Sequence, residues 1–286
     1  MMIQAVLGNP SHPEYGVATI PFPIPHDQYA HCMELLEALE IGDAVKADCK
    51  VEKVDSFYTV LKRTEMLTVN VEELNYLAKR LDSFDTGEAA QFQAMAHKLE
   101  LFELKDLINL TFCCQQATVI TDFSDLEAVG RDHYMNTRAD CVLTEELEAL
   151  DGTETALLLI TDQEGTVTLY GVVYDNGMEL EQSYDGTHFP AYLYEPSVLM
   201  VALTSRLEPE DIRDITWLYL PAPKSQLQRS LARSGITRSE DMLFRIEQSM
   251  LPEEVEAALD FQWESIYSLN ELAQAVMALS SDEQKK

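Results

Sequence analysis

The chain of 286 residues carries 50 Asp and Glu against 20 Lys and Arg, a formal net charge of −30. Its hydrophobic content of 46% is that of a folded protein, so the acidity belongs to packed domains and not to a disordered tail. A field of this size repels nucleic acid and anionic membrane and attracts basic surfaces.

The charge is spread over the whole chain, with −7 in residues 1–85, −8 in 86–150, −9 in 151–198 and −6 in 199–286. From Ala139 to Ser205 there are 13 acids and no Lys or Arg. Acidity of this kind also serves solubility alone, which is the plainer reading. The five cysteines (Cys32, Cys49, Cys113, Cys114, Cys141) form an odd set without CxxC spacing. That argues against a disulfide framework or zinc site and for a reducing compartment. The N-terminus lacks the basic region and apolar core of a signal peptide, and no apolar run approaches the ~20 residues of a membrane span. The expectation is a soluble, cytoplasmic protein without membrane association.

In chain order, Ile3 to Leu7 and Val17 to Phe22 read as strands, the second stopped by Pro21, Pro23 and Pro25. A helix is predicted from about Asp27 to Glu40, terminated near Gly42, and a third strand over Lys50 to Tyr58. Asn70 stands at an N-cap position with Glu73 three residues on. Leu74, Leu77, Ala78 and Leu81 then give one apolar stripe. Further helices are predicted near Glu88–Leu99, Glu103–Leu110 and Asp125–Tyr134, so residues 69–135 read as a helical block.

The first module has an echo near the other end. Ile20-Pro21-Phe22-Pro23-Ile24-Pro25 is matched by Leu218-Tyr219-Leu220-Pro221-Ala222-Pro223, and Leu74-Asn75 by Leu269-Asn270. Ser265 takes the cap position, and Leu269, Leu272, Ala273 and Val276 repeat the stripe. Ala5-Val6-Leu7 resembles Val201-Ala202-Leu203. Cap, stripe, Leu-Asn pair and Pro motif in the same order point to an internal duplication.

Between the copies, Ala156–Ile160, Val167–Tyr174, Met178–Tyr184 and Phe189–Tyr194 read as strands. They are separated by Glu164-Gly165, Asp175-Asn176-Gly177 and Asp185-Gly186, which are turn signals. The reading is an acidic antiparallel β-meander. The fold class expected is therefore α+β. It is an elongated multi-domain chain with an N-terminal module (1–68), a helical block (69–135), a β-meander (136–198) and a C-terminal module (199–286) resembling a repeat of 3–85.

Phosphate-binding GxxxxGK[ST] and GxGxxG, zinc-binding HExxH and the GxSxG nucleophile elbow are all missing. The six histidines are scattered. His188 beside Asp185, with Asp175, offers an enzyme reading, but a lone loop histidine is far more often solvated. Cys113-Cys114 lies in an apolar stretch and reads as core packing. No catalytic, cofactor-binding or metal-binding residues are assigned, and no cofactor is expected.

Val71-Glu72-Glu73-Leu74-Asn75-Tyr76-Leu77-Ala78, Glu88 through His97, Leu104-Lys105-Asp106-Leu107-Ile108 and Asp122-Phe123-Ser124-Asp125-Leu126-Glu127-Ala128-Val129-Gly130-Arg131 together resemble the ArdA-type antirestriction proteins. The resemblance covers roughly residues 3–135. It implies a non-enzymatic DNA mimic, with a homodimer as the form the family suggests, that occupies the DNA-binding groove of a type I restriction–modification enzyme without binding nucleic acid itself. B-DNA carries one charge per ~1.7 Å of axis, so a charge of −30 equals that of about 50 Å of duplex. The phosphate-like candidates are Asp122, Asp125, Glu127 and Asp132 on one predicted helix, with Glu72, Glu73, Asp82 and Asp85 nearby. The alternative is an acidic interaction or regulatory module of a mobile element, binding another basic, nucleic-acid-binding protein.

Overall fold

The computed structural model describes residues 3–138, 142–192, 196–205, 215–236, 238, 241–259 and 264–279. The chain is α+β, with helices beside small antiparallel sheets. It divides into two compact units. The first comprises residues 1–23, 49–69 and 73–183, and the second 24–48, 70–72 and 184–286.

The first unit contains two sheets. Strands β1 (Ile3–Gly8), β2 (Val17–Phe22), β3 (Cys49–Asp55) and β4 (Thr68–Val69) form a sheet in the order β2-β1-β3-β4. Strand alternation places Ile3, Ala5 and Leu7 of β1, with Ile20 and Phe22 of β2, in the core. Helix α2 (Val71–Asp82) buries Leu74, Leu77, Ala78 and Leu81, the stripe read from the sequence. Helices α3 (Thr86–Lys98) and α4 (Leu104–Leu110) follow. Asp85 and Glu88 form a reciprocal capping box at the start of α3, Asp85 Oδ1 accepting from Glu88 N at 2.9 Å and Glu88 Oε2 from Asp85 N at 3.0 Å.

Next come β5 (Thr118–Ile120), α5 (Leu126–Asn136), α6 (Thr144–Ala149) and α7 (Gly152–Asp162), then the hairpin of β6 (Thr166–Thr168) and β7 (Gly171–Tyr174). Helices α5 and α7 cross at backbone contact. A Cβ on Gly130 would lie 1.8 Å from Gly152 O, and one on Gly152 2.3 Å from Glu127 O. Two residues without side chains are what permit that approach.

The β-meander expected over 136–198 is not what forms. Ala156–Ile160 lies inside helix α7, because Asp151 caps that helix by accepting from Glu154 N at 2.9 Å. A five-residue apolar run has no period of its own to separate strand from helix, and the Asp151-to-Glu154 cap decides it. Val167–Tyr174 is two strands and a turn. Asn176 and Gly177, at φ of 54° and 76°, make the turn that Asn-Gly signals, but Met178–Tyr184 is not a strand. The sheet order β5-β7-β6 explains this, since β7 is already paired on both edges. Phe189–Tyr192 has no regular structure, and 193–194 lie outside the described residues.

The second unit is built on β8 (Leu199–Ser205), β9 (Thr216–Leu220) and β10 (Met242–Ser249), in the order β10-β8-β9. Helices α8 (Lys224–Arg233), α9 (Glu253–Ala258) and α10 (Ile266–Ala278) complete the C-terminal part. Leu199, Val201, Leu203, Leu218, Leu220, Leu227, Ile266, Leu269 and Ala273 form its core. Helix α1 (Tyr29–Ala38), although early in the chain, belongs to this unit and touches α8. Gly42 ends its C-terminal turn at φ 90°, where an added Cβ would come within 2.9 Å of Leu36 Cβ.

The two copies read in the sequence share a topology. Each begins strand, strand, helix, strand, with the first strand central in the pattern β2-β1-β3 or β9-β8-β10; β4 then precedes α2 in the first copy, and α9 precedes α10 in the second. Ile3 pairs with Phe22 as Leu199 pairs with Leu220, and in each copy the third strand carries one extra residue against the central strand, Glu52 in β3 and Glu247 in β10. The Phe22–Pro23 and Leu220–Pro221 bonds are both cis. Asn270 shows why Leu-Asn and the Pro motif travel together. Its Oδ1 accepts from Ala222 N at 2.8 Å and its Nδ2 donates to Ala222 O at 3.0 Å, so the helix amide satisfies backbone left unpaired beside the proline. Asn75 is likewise buried at its place in α2.

Candidate acidic interface

The eight acids singled out from the sequence have different fates. Asp122 is exposed and lies ahead of α5, not on it. Its carboxylate accepts from Ser124 N and Ser124 Oγ, each at 2.8 Å, and those bonds hold it below the usual carboxylate range. Asp125 is the N-cap of α5, accepting from Ala128 N at 3.0 Å, and it too is exposed. Only Glu127 and Asp132 lie within the helix, so the expectation of four carboxylates on one helix is corrected to a loop pair and a helix pair.

Glu127 is engaged in structure. It pairs with Arg131 at 2.9 Å, one helical turn on, and accepts from Thr153 N at 3.0 Å in the first turn of α7. A carboxylate at a helix N-terminus is stabilised by the free amides there. Asp132 is the opposite case. Desolvation first, and the nearby Asp125 charge second, push its carboxyl above the ordinary value.

Asp132 faces a cleft of about 440 Å³ that Asp85 and Glu88 also line. Thr86, Gln91, Thr118, Thr121 and Asn136 contribute polar groups to the same cleft. The fold thus brings Asp85 and Asp132, 47 positions apart, to one concavity. Glu88 belongs with them. In the sequence it stands three residues after Asp85, at the start of the helix predicted near Glu88–Leu99. Asp82 is exposed at the end of α2, and Glu73 is half-buried in the first turn of that helix.

Glu72 departs most from its expected role. It accepts a hydrogen bond from Tyr29 Oη at 2.6 Å and forms an ion pair with Arg229 Nε, its side chain only 14% exposed. Burial, and then the Glu72 charge, push the Tyr29 hydroxyl far above its ordinary value, and it stays protonated. This carboxylate is an interior ion pair of the second unit and not a surface charge.

The residues of the enzyme reading are also tied into structure. Asp175 is held by Lys98 Nζ at 2.6 Å, and that bond and Gly177 N lower its carboxyl below the usual range. Asp185 accepts from Thr187 N at 2.6 Å and His188 N at 2.9 Å, shaping the loop 184–189. That loop wraps the buried Arg233. Its guanidinium donates to Thr187 O at 2.7 Å, Gly186 O at 3.0 Å, Ala44 O at 3.1 Å and the Tyr184 hydroxyl, and lies 4.4 Å from the Phe189 ring centroid. Cys113 and Cys114 are buried in the first unit. Among the described residues no group of three or more His, Cys, Asp or Glu is placed to hold a metal ion. No helix among them is long and apolar enough to cross a membrane.

No protein-family model matches the chain, and no curated protein matches it.

Proposed function

We propose that this protein is an acidic DNA mimic of the antirestriction type, which occupies the DNA-binding groove of a type I restriction–modification enzyme. The observation that carries the reading is the net charge of −30 presented by a folded α+β chain with 13 acids and no Lys or Arg between Ala139 and Ser205. A groove shaped for duplex DNA gains most of its non-specific affinity from phosphate contacts, and carboxylates supply the same sign of charge without a base sequence. Asp122 and Asp125 at the start of α5, with Asp132, Asp85 and Glu88 around the cleft, are the charges of the first unit best disposed to meet a basic partner.

Asp122 and Asp125 owe part of their position to backbone amides, so each is fixed as well as charged. Fixed charge costs less side-chain entropy on binding than charge at the end of a mobile side chain. The test is displacement of a labelled DNA duplex from a purified type I methyltransferase core, repeated across salt concentrations. The reading expects stoichiometric displacement at low salt that weakens steeply as salt rises. Failure to displace at low salt by the folded protein would overturn it.

A further inference from the structure

The cleft of the first unit is rich in acceptors, and the donors beside them are already engaged. Gln91 is 8% exposed, and its Nε2 donates to Ala117 O at 2.6 Å and to Gln115 O at 3.2 Å. A carbonyl oxygen only accepts, so these two bonds fix the direction of the amide and occupy both of its N–H groups. Its Oε1 is left with no donor among the described residues, although the residue is more than nine-tenths buried. Asn136 is turned the same way, its Nδ2 donating to Ala117 O at 3.1 Å. Gln115 Nε2 donates to Glu88 Oε1 at 3.2 Å. All of these residues line the cleft, and their amides keep acceptors for it.

The charged groups point to the same chemistry. Asp85 gives Oδ1 to Glu88 N and keeps its second oxygen. The Asp132 carboxylate accepts from no described group, and Arg131 beside it in α5 is turned to Glu127 instead. No Lys, Arg or His lines the cleft. A cation placed there would relieve the desolvated charge of Asp132. The carboxylates do not converge on one point, since among the described residues no group of three or more His, Cys, Asp or Glu is placed to hold a metal ion. The fitting occupant is therefore an organic cation with several N–H donors. Val119 and Val129 add apolar walls to the same cleft. Such walls suit the planar, weakly hydrated guanidinium on its methylene stem better than a compact, strongly hydrated ammonium.

We propose that this cleft seats the guanidinium of an arginine side chain presented by a partner protein. Free arginine fits less well, because its own carboxylate would face Asp85, Glu88 and Asp132. For the identity of the partner the proposal rests on the DNA-mimic reading, to which it adds one directional contact beyond charge alone.

The test is a titration of the isotope-labelled full chain with N-acetyl-arginine amide, followed through backbone amide shifts by NMR. N-acetyl-lysine amide and free arginine are titrated alongside at equal ionic strength. Saturable shifts confined to the residues around the cleft are expected, with roughly tenfold weaker binding of the other two compounds. Asp132→Asn should weaken the arginine amide by roughly tenfold. Glu103→Gln, which removes the same charge from an exposed position outside the cleft, should change it by less than about twofold. Equal losses in the two variants, equal affinity for the lysine amide, or shifts scattered over the acidic surface would overturn the proposal. Tighter binding of free arginine would overturn it too, since the site would then belong to a small molecule. Saturable arginine binding without displacement of DNA would count against the mimic reading alone, and displacement without arginine binding against the cleft alone.

Discussion

Glu72 and Arg229 form an ion pair that is about four-fifths buried on each side, with Tyr29 bonded to the same carboxylate oxygen. Removing one member of such a pair strands the other charge, which costs more than the pair contributes. Glu72→Gln is expected to destabilise the protein by about 3 kcal/mol in urea unfolding, whereas Asp122→Asn, at an exposed loop carboxylate, should fall within about 0.5 kcal/mol. His133 makes a second prediction. Burial lowers its pKa from 6.5, and its Nδ1 shares a hydrogen bond with the Thr118 hydroxyl at 3.0 Å, while Thr118 accepts from Asn176 Nδ2 at 2.9 Å. The unfolded ring takes up its proton near 6.5 but the folded one only at lower pH, so this contribution is present above 6.5 and lost as pH falls below it. Melting temperature should therefore drop between pH 7.5 and 5.5, and His133→Gln should flatten part of that drop.

Helices α5 and α7 are held together by the Gly130–Gly152 crossing and by the Glu127 bond to Thr153 N. Gly130→Ala puts a methyl into a backbone carbonyl, which no rotamer change relieves. A loss of about 3 kcal/mol is expected in thermal or urea unfolding, although alanine is the better helix former by about 1 kcal/mol. A stability gain would show that the crossing opens at no cost. At this scale the sequence was readable where a cap and a long period coincided, as in α2 and α10. It was misread in 151–184, where a short apolar run carried no period. The Asp151 cap and the double pairing of β7, both outside the run itself, settle those residues.

At the scale of the whole molecule the salt dependence separates mimicry from a single specific contact. Replacing phosphates over many contacts makes log K fall linearly with log salt, and six or more such contacts cost on the order of a thousandfold in affinity between 50 and 200 mM. Binding to a type I methyltransferase core is expected to lose at least tenfold over that range. Neutralising Asp122 alone should change it less than threefold, and neutralising Asp85, Asp122, Asp125 and Asp132 together by far more than tenfold. An all-or-none loss from one carboxylate would point instead to a localised site.

The sequence alone determined the acidity, the capped helices, the Pro motif and the repeated order of elements, because charge count and local hydrogen bonding depend on residues within a few positions of one another. It also held the Leu-Asn pair whose reason is visible in the Asn270–Ala222 bonds. Only the tertiary structure decided which acids remain on the surface. Glu72 is neutralised by a residue 157 positions away, Glu127 is taken up by the first turn of α7, and Asp85 meets Asp132 across a cleft. Desolvation and pairing depend on which distant elements come into contact, and that is set by packing.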